Sequence, residues 1–158
     1  MRLIKLALIS AAFLFLIALA MSLLIPSHIR ISRAANFYGP ATSVLGPIRD
    51  TARWKQWHPA YMPDSGRVYP QAEIKLLRQT DSLLVMRISQ ASRSIDNGWQ
   101  VYSFQGADSV TLQWYMDFEL KWYPWEKFSS LFFEGSFGKM MEEGLHNLKK
   151  QQSAQTGQ

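Results

Sequence analysis

The sequence predicts an α+β domain, an antiparallel meander of strands closed by a long C-terminal helix, standing behind one membrane-spanning helix. Three observations predict it: a charge-free run from Leu6 to Ile25, strict alternation of apolar and polar residues from Ser109 to Glu119, and a switch to helical apolar spacing after Pro124. A chain of 158 residues, 47% of them apolar, suits one domain with a real core. There is no cysteine, which excludes disulfide scaffolds, thiolate metal sites and cysteine nucleophiles. Of 17 basic residues, Arg2, Lys5, Arg30 and Arg33 lie in or beside the apolar leader, leaving 13 against 12 acidic ones. That balance removes the main support for nucleic-acid binding.

Leu6 to Ile25 is 20 residues with only Ser10 and Ser22 polar, flanked by Arg2 and Lys5 before it and Pro26 to Arg30 after it. As a helix it spans about 30 Å, one hydrocarbon core. A cleaved signal peptide competes with this reading, because Ala18-Leu19-Ala20 has the small-x-small pattern of a cleavage site. Cleavage there would leave Met21 to Pro26 as an apolar new terminus, whereas an uncleaved helix uses those residues to complete its span. A retained anchor over residues 1–27 is therefore expected, with the short amino-terminal tail inside and the domain on the extracytoplasmic side.

The domain is expected over residues 28–152, with 153–158 as a frayed tail. His28 to Asn36 alternates Ile29 and Ile31 with Arg30 and Ser32 as a strand, and Gly39-Pro40 ends it. Ala41 to Arg53 places Val44, Leu45 and Ile48 at helical spacing, with Thr42 or Ser43 as a cap and Gly46-Pro47 dividing it into two short helices. Tyr61 to Gly66 is a turn-rich loop. Four strands follow, Ala72 to Arg78, Leu83 to Ile95, Trp99 to Gln105 and Ser109 to Glu119, separated by Thr80-Asp81, Asp96-Asn97-Gly98 and Gly106-Ala107-Asp108. Asn-Gly between alternating segments predicts a hairpin turn, since both residues tolerate positive φ. The last strand sets Val110, Leu112, Trp114, Met116 and Phe118 on its dry face.

From Trp125 onward, Phe128, Phe132, Met140, Leu145 and Leu148 recur at helical intervals, with Leu131, Phe137, Met141 and Gly144 widening the stripe. One long helix closes the domain. Gly135 and Gly138 each cost about 1 kcal/mol against alanine there, which predicts a bend or a close approach to the sheet.

Strand, short helices, meander and closing helix, in that order, resemble the SRPBCC superfamily, in particular its START-like and polyketide cyclase/dehydrase members. The resemblance rests on Ile29 to Ala34 followed by Gly39 to Asp50, on Trp54-Lys55-Gln56-Trp57-His58-Pro59, similar to a W-x-x-W-x-P ending, and on Glu143-Gly144-Leu145-His146-Asn147-Leu148-Lys149, similar to a closing G-L-x-x-L-K helix. It covers about residues 28–150. It implies a helix-grip fold, in which a curved sheet wraps the final helix and leaves an apolar cavity for a lipid, polyketide or other hydrophobic molecule. The chain departs from the pattern after Pro59, where only Ala60 to Gln71 stands in place of an extra hairpin, so a smaller sheet is expected.

Catalytic chemistry finds little footing. Glu134 to Gly138 has a serine among glycines without the G-x-S-x-G order. His28, His58 and His146 lie on separate elements, so no metal site is expected, and no phosphate or dinucleotide loop calls for a cofactor. Trp54, Trp57, Trp99, Trp114, Trp122 and Trp125 read first as core and second as the lining of a ligand cavity, while Trp122, Tyr123 and Trp125 also fit an aromatic belt at the headgroups. The leading expectation is a non-catalytic, membrane-anchored domain whose partners are the bilayer and a hydrophobic small molecule or lipid, its cavity lined by Val110, Leu112, Trp114, Met116, Phe118, Phe132, Met140 and Met141. An enzyme of the same fold with Glu134 or His58 as general base, and an interaction module with a filled core, are the alternatives.

Overall fold

The computed structural model describes residues 2–63, 72–91, 93–106 and 108–156. Helix α1 (Arg2–Ser22) leads through a turn into β1 (His28–Tyr38), then α2 (Ala41–Arg49), a 3-10 turn at Thr51–Arg53 and α3 (Trp54–Trp57). The meander is β2 (Glu73–Gln79), β3 (Leu83–Gln90), β4 (Arg93–Ser103) and β5 (Ser109–Glu119). Helix α4 (Pro124–Ser129), a 3-10 turn, a π turn at Glu134–Gly138 and α5 (Lys139–Thr156) follow. The sheet is five-stranded in the order β1-β5-β4-β3-β2, antiparallel at every pairing, so the first strand closes on the last. This is the expected α+β arrangement, a curved sheet gripping the C-terminal helix.

Alternation along β5 is realised residue by residue: Val110, Leu112, Trp114, Met116 and Phe118 are all buried. They face α5, which brings Met140, Met141, Leu145 and Leu148 onto the sheet. Gly144 makes that approach possible, because a Cβ there would lie 2.7 Å from Cζ3 of Trp114 and 3.2 Å from Cδ of Pro59. Trp54, Trp57, Trp99 and Trp114 are fully buried and pack ring against ring.

Three local expectations change. The predicted Asn97-Gly98 turn is the middle of β4, paired with Met86 and Val85 on one side and Met116 and Tyr115 on the other. The hairpin instead turns after Gln90, where Ala91 takes φ 53°. Tertiary packing claims both residues: Asn97 is buried and accepts from the Trp114 indole at 3.3 Å, while the Tyr115 ring lies over Gly98 where a Cβ would overlap it. In α2, Pro40 is the N-cap and neither Thr42 nor Ser43 caps by side chain; Ser43 Oγ donates back to the Pro40 carbonyl. The break also falls at Asp50 rather than at Gly46-Pro47, and the freed carbonyls of Ile48 and Pro47 accept from the indoles of Trp54 (2.8 Å) and Trp57 (3.4 Å).

The expected long C-terminal helix runs on from Pro124, with a 3-10 turn and a π turn inserted in it. Its π turn lies at the two predicted glycines, and Arg33 from β1 crosses it at Gly138, its Nη2 donating to Glu134 and its Nε to Glu142, both at 2.6 Å. Helix α5 runs on to Thr156, so residues 153–156 of the expected tail are helical. Of the predicted Tyr61–Gly66 loop, Asp64, Ser65 and Gly66 lie outside the described residues.

Candidate functional site

Between the sheet and the C-terminal helix lies a cavity of about 310 Å³. Met116 of β5, Ile95 and Asn97 of β4 and Ile88 of β3 form its sheet wall; Phe137 and Met140 form the helix wall. His58, Ala60 and Tyr61, just after α3, close one end, and Gln90 and Arg93 stand at the β3–β4 turn. A second cavity of about 380 Å³ shares Arg93, Ile95 and Phe137 and continues past Phe118, Glu119 and Lys121 to Glu126 and Ser129 of α4. The two form a trough along the sheet that ends beside α4. A third hollow of about 300 Å³ lies elsewhere, between the end of β1, α2 and α5, and its lining includes Ser43, Gln151 and Gln152.

Among the residues expected to line a ligand cavity, Met116 and Met140 stand on the wall of the first cavity and Phe118 on that of the second. Val110, Leu112, Trp114 and Met141 are buried in the solid core. Phe132 is 75% exposed on the 3-10 turn after α4, facing away from the interior. Trp125, two turns earlier in α4, is exposed on the same face as Phe132, and Phe133 and Phe137 are the rings that meet Phe118.

His58, one of the two acid-base candidates, stands at the closed end of the cavity. His58 is 2% exposed, boxed by Trp54 (stacked, 5.3 Å), Tyr61 (5.0 Å) and Trp114 (5.0 Å). It ends α3 as its C-cap, its backbone N–H donating to the Trp54 carbonyl at 2.8 Å. Its Nδ1 accepts from the Ala60 N–H at 3.2 Å, and its Nε2 has no hydrogen-bond partner among the described residues. Burial lowers its pKa to about 3, so the ring is neutral. The position of His58 between a tryptophan pair and a proline was the only sequence signal for it.

Glu134, the other acid-base candidate, is 62% exposed and ion-paired to Arg33, away from the trough. Ser136 is exposed in the π turn. Asp117 points out of the sheet into a bidentate pair with Arg30 (2.6 and 2.7 Å), which raises the pKa of that guanidinium. The arrangement can enclose an apolar molecule beside a buried, neutral imidazole.

No family model and no curated protein matches the chain. Solved structures do. One domain of the di-domain aromatase/cyclase StfQ of the steffimycin pathway superposes with a TM-score of 0.62 at 7% identity, over 83% of this chain and 53% of that one. An uncharacterised protein from Staphylococcus aureus gives 0.53 at 13% identity over 83% and 97%. A START superfamily protein from Mycobacterium smegmatis gives 0.50 at 16% identity over 77% and 97%. Strand order, buried faces and these likenesses agree that the chain has a START-like helix-grip fold.

Proposed function

We propose that this chain is a single-pass, membrane-anchored binding domain that holds a hydrophobic small molecule or lipid non-covalently between its sheet and its C-terminal helix. The apolar trough carries the reading: walls of Ile88, Ile95, Met116, Phe137 and Met140 would gain roughly 25 cal/mol for each Å² of ligand and wall surface removed from water. The neighbouring folds include a START superfamily protein and an aromatase/cyclase, which is consistent with such cargo.

The bilayer enters through two features. Helix α1 has the length and composition of a membrane span, and of a signal sequence equally. Beyond it, α4 and the segments beside it expose Trp122, Trp125, Leu131 and Phe132, with Tyr123 stacked on Trp125 and tilted against Trp122, the ring centroids 4.8 Å apart in both pairs. Lys127 of α4 donates to the Ile25 carbonyl (2.6 Å) and Ser27 Oγ (2.8 Å), tying this aromatic foot to the end of α1. A foot so placed rests at headgroup depth and sets the open end of the trough, at Glu126 and Ser129, beside the lipid.

The test is expression of the full chain, alkaline washing of the membranes, and intact and native mass spectrometry of what remains. Retention at the full mass of 18.2 kDa with a co-purifying lipophilic molecule is expected. A washed-out species beginning at Met21 would refute the anchor, and a reporter at Gln158 active only in the cytoplasm would refute the extracytoplasmic side.

A further inference from the structure

We infer that the trough takes an anionic amphiphile tail first, its chain against Met116 and Met140 and its carboxylate or phosphate head at Arg93, level with the end of α1. This deepens the proposed binding function and rests on it. Strand alternation supplies the first reason. Ile95, Asn97, Trp99 and Val101 turn one side of β4 toward the core, so Arg93, two residues before Ile95, belongs to the same concave face. Its cross-strand partner is Gln90, and both border the first cavity. Arg93 borders the second cavity as well, which places it where the two meet. From Arg93 to Asn97 the strand offers a chain a run of about 13 Å.

Charge supplies the second reason. Arg93 is exposed and makes no ion pair among the described residues. With His58 neutral, it is the only ionised residue among those described on the wall of the first cavity. Lys121 adds a cation on the wall of the second. The two carboxylates there are engaged or turned away: Glu126 Oε2 accepts from the Lys121 backbone N–H at 2.8 Å, and Glu119 follows Phe118 on the solvent face of β5. A guanidinium holds a carboxylate or phosphate through two parallel N–H bonds, and at this exposed rim the pair escapes the desolvation that a deeper one would suffer. Register supplies the third reason, because it fixes depth. Ile95 stands opposite Phe118 and Phe118 opposite Ile29, and one step outward the Leu120 N–H donates to the Ser27 carbonyl at 2.7 Å. Arg93 lies one such step beyond Ile95, at the level of Ser27, where the chain leaves α1. A head drawn from the bilayer surface stays at its own depth there while its tail enters the trough.

The experiment uses the full chain in nanodiscs of zwitterionic lipid at about pH 8, where a carboxylic acid is ionised, with empty nanodiscs as the blank. The probes share one chain: decanoate, decyl phosphate, 1-decanol and decyltrimethylammonium. Equilibrium dialysis should show at least one anion binding about tenfold tighter than the alcohol after the blank is subtracted, the size expected of one charge-assisted pair at a solvated rim. The cation should bind most weakly. Which anion leads separates a carboxylate cargo from a phosphate ester. Arg93→Gln should lower the affinity of the leading anion about tenfold and leave the alcohol within about twofold, and Arg93→Lys, which keeps the charge without the fork, should retain part of the preference. Lys150→Gln, which removes an exposed cation near the far end of α5, should change none of the four. Arg93 is exposed at the start of β4, so its variants leave the core untouched. Equal binding of anions and alcohol, or equal losses in Arg93→Gln and Lys150→Gln, overturns the inference and leaves the binding function standing. Failure of all four probes to exceed the blank overturns both.

Discussion

Gly144 is where helix α5 touches the sheet most closely, and replacing it by alanine tests the central packing of the fold. The added Cβ would lie 2.7 Å from Trp114 Cζ3 and 3.2 Å from Pro59 Cδ. Trp114 cannot retreat: it is fully buried, stacked on Trp99 at 5.6 Å and met edge-on by Trp57 and His58. Overpacking of this kind costs about 1–3 kcal/mol, and the gain in helix propensity returns about 1 kcal/mol. A net loss of up to about 2 kcal/mol lowers Tm by up to roughly 8 °C for a domain of this size. The internal control is Gly135→Ala, where nothing lies within 4 Å of the new Cβ, and where lost backbone freedom in the unfolded chain should raise stability by up to about 1 kcal/mol. Thermal unfolding of the full chain in detergent, followed by near-ultraviolet circular dichroism of the buried indoles, reads both. If Gly144→Ala is as stable as Gly135→Ala, α5 does not press on Trp114 and the proposed grip is wrong.

Other parts of the structure predict as directly. Lys127→Met removes the ammonium that holds the Ile25 carbonyl and Ser27 Oγ, so limited proteolysis between α1 and β1 should speed up about tenfold while the Tm of the domain moves little. Gly138→Ala places a methyl group where the Arg33 guanidinium lies. Because Glu134 and Glu142 are both mostly exposed, breaking their pairs with Arg33 should cost under about 1 kcal/mol in a urea titration, and a loss above about 3 kcal/mol would show a buried role that the structure lacks.

Legibility followed how local the cause of each feature is. Helix α1 and strand β5 could be read because one period governs each from end to end, and burial along β5 follows the sequence alternation without a slip. Asn97-Gly98 misled because its residues serve distant partners, the Trp114 indole and the Tyr115 ring, while the real turn at Ala91 carries no turn residue to announce it. Phe132 misled because it continues the face of Trp125, which is apolar but exposed, while Phe133 and Phe137 are the rings that meet Phe118. The fold and three trough residues, Met116, Phe118 and Met140, were therefore visible from pattern. His58 was not, because its neighbours are brought in from β5 and from the chain after α3, and nothing in W-x-x-W-H-P distinguishes a surface cap from a buried ring.

His58 also gives the protein a specific acid sensitivity, and its sign follows from the direction of the shift. Burial holds its folded pKa near 3, against about 6.5 in the unfolded chain. Between those values the unfolded state binds the extra proton, so stability is complete above pH 6.5 and falls as the pH drops toward 3. The slope approaches about 1.4 kcal/mol per pH unit, which amounts to about 2 kcal/mol between pH 6.0 and 4.5. His28 and His146 are exposed, and carboxylate titration is common to all variants, so the difference between wild type and His58→Phe in urea titrations across that range isolates the one imidazole. A parallel pH dependence of the two proteins would mean that His58 charges in the folded state, and a charged ring would then accept carboxylates into the closed end of the cavity. Divergence by the stated amount instead fixes the ring as neutral in the folded domain across that range, as its burial among the aromatic rings of Trp54, Tyr61 and Trp114 requires.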